Sequence, residues 1–372
     1  MDLCRSSEDY HITIRLYDDA GLDAKLVSSN PPDLINLTYM DYVKYGQKYA
    51  LEDLAPYLEA SSVLDSAYFR QSLLDACTVK GRLVYIPEEI DCTTVVGRAS
   101  QVGSEPGWSA EDAMALAESH PQARLFKGNS FSAMIRYFFQ DYILGQYIDW
   151  KSGECSFDGE EFVAFIKWVA EHSDGVDSEE TPVEMLLGTM PEERLLDIMA
   201  TVFGADFYML NKTYFGEEVT TVGYPTAGGE VSHHGTLINQ LGIVAASDKK
   251  EGAWQFIESF LSRENGRYIF MPARQDRLEE EIAKKAESKI PVYLPDGSRE
   301  DFSAITEEEI EKFYAIIDEA DFTSRNGIRE EIINIVVEEM SLCLSSDKPY
   351  EEAAAIVQNR VKNMVQEEIS SI

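Results

Sequence analysis

The stretch Val219–Leu261, VTTVGYPTAGGEVSHHGTLINQLGIVAASDKKEGAWQFIESFL, constrains the fold more than any other part of the chain. A β-like run ends in a Gly-Tyr-Pro turn, and a loop bearing glycines and histidines follows. A second apolar run, Leu241 to Ala246, leads into a helix. Ser247 or Asp248 is placed to cap that helix, with Glu251 three residues after Asp248 to complete a capping box. Ala253, Phe256, Ile257, Phe260 and Leu261 fall at helical spacing and form a wide apolar face. A strand–loop–strand–helix unit of this kind needs a large partner to pack against.

The remaining chain can supply one. It has 372 residues, 44% hydrophobic and 11% aromatic, which is enough for a sizeable core divided between two domains or lobes. His11–Tyr17 alternates as a strand, Leu34–Leu37 and Arg82–Ile86 are short apolar runs, and helical spacing lies between them. Alternating strands and helices point to an α/β fold with a parallel, doubly wound sheet. Ligands in such sheets sit beyond the carboxyl ends of the strands. That rule singles out Tyr39 to Asp41 and Glu88 to Asp91. Thr93–Val96 reads as an extended crossing. Helices are then expected from Ser109, over Phe131–Tyr147, and from Asp158 with Glu161 as cap. The C-terminal part is helical: Thr306–Ala320 with a Thr306–Glu309 capping box, Ile328–Leu344 and Tyr350–Ile369.

Charge removes one class of partner. With 32 basic against 67 acidic side chains the formal net charge is −35, which repels a phosphate backbone and excludes nucleic-acid binding. Five cysteines, Cys4, Cys77, Cys92, Cys155 and Cys343, show neither CxxC pairing nor metal-ligand spacing and read as small core residues. No apolar run approaches the ~18–20 residues that span a bilayer. His233 and His234 lack partners at ligand spacing, so neither a metal nor any other cofactor is expected.

Six motifs then occur in a fixed order: PPDLINLTYMDYVKYGQKYALEDLAPYLE, GRLVYIPEEIDCTTVVGR, PGWSAEDAMALAE, DWKSGECSFDGEEFVAFIKW, VGYPTAGG and DKKEGAWQFIESFL. Together they resemble the extracellular solute-binding proteins of carbohydrate ABC importers, the maltose-binding-protein-like type, from about Ser7 to Glu367. The nearest likeness is to lipoproteins of Gram-positive gut bacteria. The resemblance implies a two-lobed periplasmic-binding-protein-like fold of the class II type, with doubly wound sheets and a ligand cleft between lobes. It implies lobe one over 1–92 plus 244–299 and lobe two over 93–243 plus 300–372, with crossings near 91–96 and 237–244. It also implies a monomer that closes like a hinge on a carbohydrate and docks on permease subunits at the cell surface. Family members carry a signal, a lipid-bearing cysteine and a first strand before the residues matching Ser7 to Tyr10. The chain is therefore expected to be a truncated form whose membrane anchor is absent, and Cys4 does not match the lipid cysteine.

Sugars are held by aromatic faces and by polar side chains bonded to hydroxyls. The candidates are Tyr39, Asp41, Glu88, Asp91, Trp150, Asp206, Phe207, Tyr224 and His234. Each has a plainer reading: a helix cap for Asp41, a surface aromatic for Tyr39, a solvent-facing loop for Glu88, a core anchor for Trp150 and helix packing for Phe207. His234 is expected to line the cleft, so that its loss weakens binding without abolishing folding. The rival classes are a glycoside hydrolase, for which no carboxylate pair of suitable separation can be nominated, and a ligand-sensing module. A peptide or a polyamine replaces the sugar in a further variant, and the acidic balance leaves a cationic solute open.

Overall fold

Glu89–Arg98, EIDCTTVVGR, is rich in β-branched residues and forms the longest strand among the described residues, buried at nearly every position. In the computed structural model, residues 12–38, 42–126, 128–176, 194–200, 215–263, 268–286, 290–293, 299–302, 306–323, 327–346 and 348–371 are described. In chain order the framework strands are β1 (Leu34–Asn36), β2 (Glu89–Arg98), β3 (Leu196–Ala200), β4 (Val219–Thr221), β5 (His233–Ile238), β6 (Leu241–Ile243), β7 (Met271–Pro272) and β8 (Ala320–Asp321). The principal helices are α1 (Ala110–Ser119), α2 (Gln140–Gln146), α3 (Glu160–Glu171), α4 (Lys250–Leu261), α5 (Glu307–Glu319), α6 (Gly327–Ser345) and α7 (Tyr350–Ser371).

The chain divides into two units. The first holds the described residues of Met1–Asp91 and Gly235–Ala286; the second holds those of Cys92–Thr201, Ala205–His234 and Glu287–Ile372. Two of the passages fall inside β2 and β5. The second of these comes at His234–Gly235, earlier than the 243/244 read from sequence, because β6 already pairs with β1 of the first unit. The last comes at 286/287, where the sequence reading set 299/300.

In the first unit β1 and β6 pair antiparallel, with Leu34 opposite Ile243. The start of β2 pairs antiparallel with β7. Helix α4 packs on β6 through buried Ala253, Trp254, Ile257 and Leu261. Phe256 and Phe260 stack on each other at 5.8 Å instead of being fully buried. The capping expectation fails here: Lys249 is the N-cap, and no side chain caps the helix. Ser247 is committed elsewhere, giving its hydroxyl to Asp33 (2.7 Å) and accepting Lys249 N–H (3.0 Å).

In the second unit the later part of β2 pairs antiparallel with β3 and β4, and β5 pairs parallel with β8. The Ser109–Asp112 and Thr306–Glu309 capping boxes both form. Helix α3 starts instead at Gly159, with no side-chain cap from Asp158. The expected single helix over 131–147 is broken into a turn at Phe131–Ala133, a π turn over Met134–Phe138 and then α2. Met134, Ile135, Phe138, Phe139, Tyr142 and Ile143 are all buried. Phe139 then meets Phe138, Tyr142, Phe165 and Trp168, with ring centroids 4.7 to 6.4 Å apart. Leu196–Ala200 forms β3, and 201–214 lies outside the described residues.

Trp254 is 4% exposed and packs against Tyr57 in a tilted pair with centroids 5.6 Å apart. Trp254→Ala should therefore lower unfolding free energy by ~3–5 kcal/mol in urea denaturation. A loss below about 1 kcal/mol would show that α4 is not anchored through this indole.

Candidate functional site

In the second unit the loop before β5 is built by close backbone approach. Gly223 has φ +83°, and a Cβ there would lie 2.7 Å from the Ser232 carbonyl oxygen, so only glycine fits without distortion. Tyr224 N–H donates to that same oxygen (2.8 Å), and Trp108 Nε1 donates to the Gly223 carbonyl (2.8 Å). The turn thereby fixes Tyr224, whose hydroxyl donates to Thr93 Oγ1 of β2 (3.0 Å).

Tyr224 stacks on His234, with centroids 4.0 Å apart and planes 14° from parallel. His234 Nε2 lies 3.0 Å from both oxygens of Asp141 on α2, and the Ser232 hydroxyl also donates to Asp141. Burial works to raise the Asp141 carboxyl. The charge and hydrogen bond of His234, the Ser232 hydroxyl and the charge of Arg329 outweigh it and hold the group below the usual carboxylate range. An ionised Asp141 has no proton to give, so the proton in the His234 bond sits on Nε2. Arg329 of α6 donates to Asp321 of β8 (2.9 Å) and lies over the Trp150 ring, 5.9 Å from its centroid. Trp150 Nε1 is held by the Leu144 carbonyl (3.2 Å). Three residues picked from sequence, Trp150, Tyr224 and His234, are thus linked through Asp141 and Arg329, which sequence reasoning missed.

This corrects the expectation for His234. It is 6% exposed, with one ring face against Tyr224 and its outer nitrogen on a carboxylate. Its first role is to organise β5 and α2. Trp150 packs on the core, as its plainer reading has it, and keeps part of its surface open.

The first-unit candidates are also engaged internally. Glu88 is 7% exposed, pairs with Arg263 and accepts a hydrogen bond from Asn239 Nδ2 (2.8 Å). Glu89 accepts the backbone N–H groups of Ile269 (2.8 Å) and Phe270 (2.6 Å). Neither is part of a solvent-facing charged loop, because a carboxylate buried in a sheet must find donors inside the fold. Asp91 is buried within β2. Tyr39, Asp41, Asp206 and Phe207 lie outside the described residues.

His233 and His234 occupy successive strand positions and so point to opposite faces. His233 meets Thr94, while His234 meets Asp141. Among the described residues no group of three or more His, Cys, Asp or Glu side chains is disposed to hold a metal ion. No described helix is long and apolar enough to cross a membrane.

Removing His234 leaves Asp141 short of its principal partner. His234→Ala should cost about 3 kcal/mol in chemical denaturation, against about 1 kcal/mol for Tyr224→Phe, which removes the bond to Thr93. Equal, sub-kilocalorie effects would contradict the network.

No family model matches the chain, and no curated protein matches it. Solved structures do. The sugar-binding protein MalE from Xanthomonas citri is 16% identical, with TM-score 0.63 over 99% of this chain and 93% of that one. A periplasmic oligogalacturonide-binding protein from Yersinia enterocolitica is 13% identical, with TM-score 0.56 over 94% and 88%. A designed esterase is similar at 13% identity, with TM-score 0.57 over 94% and 88%. At these identities the likeness establishes architecture, and function has to be argued from the site. The chain has the two-lobed α/β fold of MalE-like solute-binding proteins.

Proposed function

We propose that the protein is the extracellular solute-binding component of an ABC importer and that it captures a carbohydrate, most simply an oligosaccharide, without altering it. The observation that carries this reading is the second-unit cluster on a solute-binding fold. A partly open tryptophan lies beside an arginine and an aspartate, over a rigid Tyr224–His234–Asp141 support. Aromatic faces and hydrogen-bonding side chains of this kind suit a polyhydroxylated ring. The support is preorganised, so binding does not have to spend free energy ordering it.

In this reading Trp150 is a stacking surface, Tyr224 and His234 position the wall behind it, and Tyr39, Asp41, Asp206 and Phe207 are proposed contacts. Capture proceeds by hinge closure of the two units, and the closed monomer delivers its cargo to the permease at the cell surface. MalE and the oligogalacturonide-binding protein are named for sugars, which supports carbohydrate as the solute class. The net charge of −35 favours one second reading, a cationic solute such as a polyamine.

A thermal-shift screen separates the two. A cognate oligosaccharide at 100 times its Kd should stabilise the protein by about 2.7 kcal/mol, seen as a raised Tm. A complete carbohydrate panel without a shift, alongside a shift by polyamines, would replace the first reading with the second.

A further inference from the structure

Strand β5 carries two adjacent histidines, and only one of them belongs to the cluster above. His233 turns the other way. It is 2% exposed, with Nδ1 2.8 Å from Thr94 Oγ1 of β2. Its Nε2 lies 3.7 Å from Glu319 Oε2 at the end of α5, beyond hydrogen-bond reach, and that carboxylate is half exposed. Its backbone stands opposite Ala320 in the parallel β5–β8 pair. Two residues later, at Gly235, the chain has passed into the other unit.

The charges around this point are committed elsewhere. From α2, Asp141 is bound to His234 and Ser232; from β8, Asp321 is bound to Arg329 of α6. Thr94 supplies a neutral hydroxyl. A proton on His233 would be buried beside His234, with Glu319 as its nearest carboxylate among the described contacts. Burial, and then the neighbouring His234 charge, push the His233 imidazole down from 6.5 to about 4. In the closed strand the ring is neutral at pH 7, and it takes up a proton readily only when β5 opens to water.

We propose that β5 is an acid-released latch: mild acidification protonates His233 and opens the β5–β8 edge of the second unit, beside the point where the chain changes unit. The direction follows from linkage. In the open form His233 titrates at its ordinary value and binds more protons than in the closed form. The closed form is therefore fully favoured above pH 6.5 and loses that advantage as pH falls toward 4. Between pH 7.5 and pH 5 the shift amounts to about thirty-fold in the opening equilibrium. The latch does not depend on what the protein binds.

Hydrogen exchange on the full chain tests it, at pH 7.5 and pH 5.0, corrected for intrinsic exchange rates, in wild type and His233→Gln. Peptides covering 233–238 and 320–323 should lose about thirty-fold in protection in wild type and keep it in the variant. An equal loss in both proteins, or none in wild type, overturns the proposal. Should His233→Gln not fold, the His233 ring proton titrated by NMR in wild type decides: a midpoint below 5 supports the latch, and one at 6 or above refutes it.

Discussion

Continuity of β2 and β5 through both units is the constraint on which the rest of the structure depends. Each strand begins in one unit and ends in the other, and the two are hydrogen-bonded neighbours. β2 also pairs with β3, β4 and β7, so most of the framework sheet is built on its ten residues. A buried strand with partners on both sides cannot shift register by one residue without moving every side chain to the other face. The EIDCTTVVGR run, with acidic residues at one end and β-branched residues at the other, meets those demands.

Burying such strands forces a second feature, since polar side chains along them need donors and acceptors within the fold. Glu88 and Glu89 just inside the first unit are met by Arg263, Asn239 and backbone N–H groups. Asp141 in the second unit is met by His234 and Ser232. The two histidines of β5 show the consequence of alternation most clearly. One is hydrogen-bonded to a buried carboxylate and the other to a hydroxyl, so neighbours in sequence have different partners.

What was legible in the sequence was the local chemistry and the order of motifs. The Thr306–Glu309 box forms because donor and acceptor are three residues apart and nothing competes for them. The box at Asp248 does not form, because the helix begins one residue later, with Lys249 as N-cap and Glu251 at the second helical position, and Ser247 answers to Asp33, a residue 214 positions away. The break in the 131–147 helix needed knowledge of which neighbours require Phe138 and Phe139 buried together. Tyr224, His234 and Trp150 were picked by residue type and turn context, but the groups that join them were not. Asp141 offered only the faint signal of a lone carboxylate in an aromatic run, and Arg329, beyond the last motif, offered none.

The fold is shared by binding proteins and by a designed esterase, so the absence of turnover has to be tested on the molecule itself. The most direct measurement is calorimetric titration with an oligosaccharide found in the ligand screen, followed by chromatography of the recovered sugar after prolonged incubation. The account predicts saturable one-to-one binding and sugar recovered intact. Cleaved sugar, or no binding heat from any oligosaccharide, would contradict it.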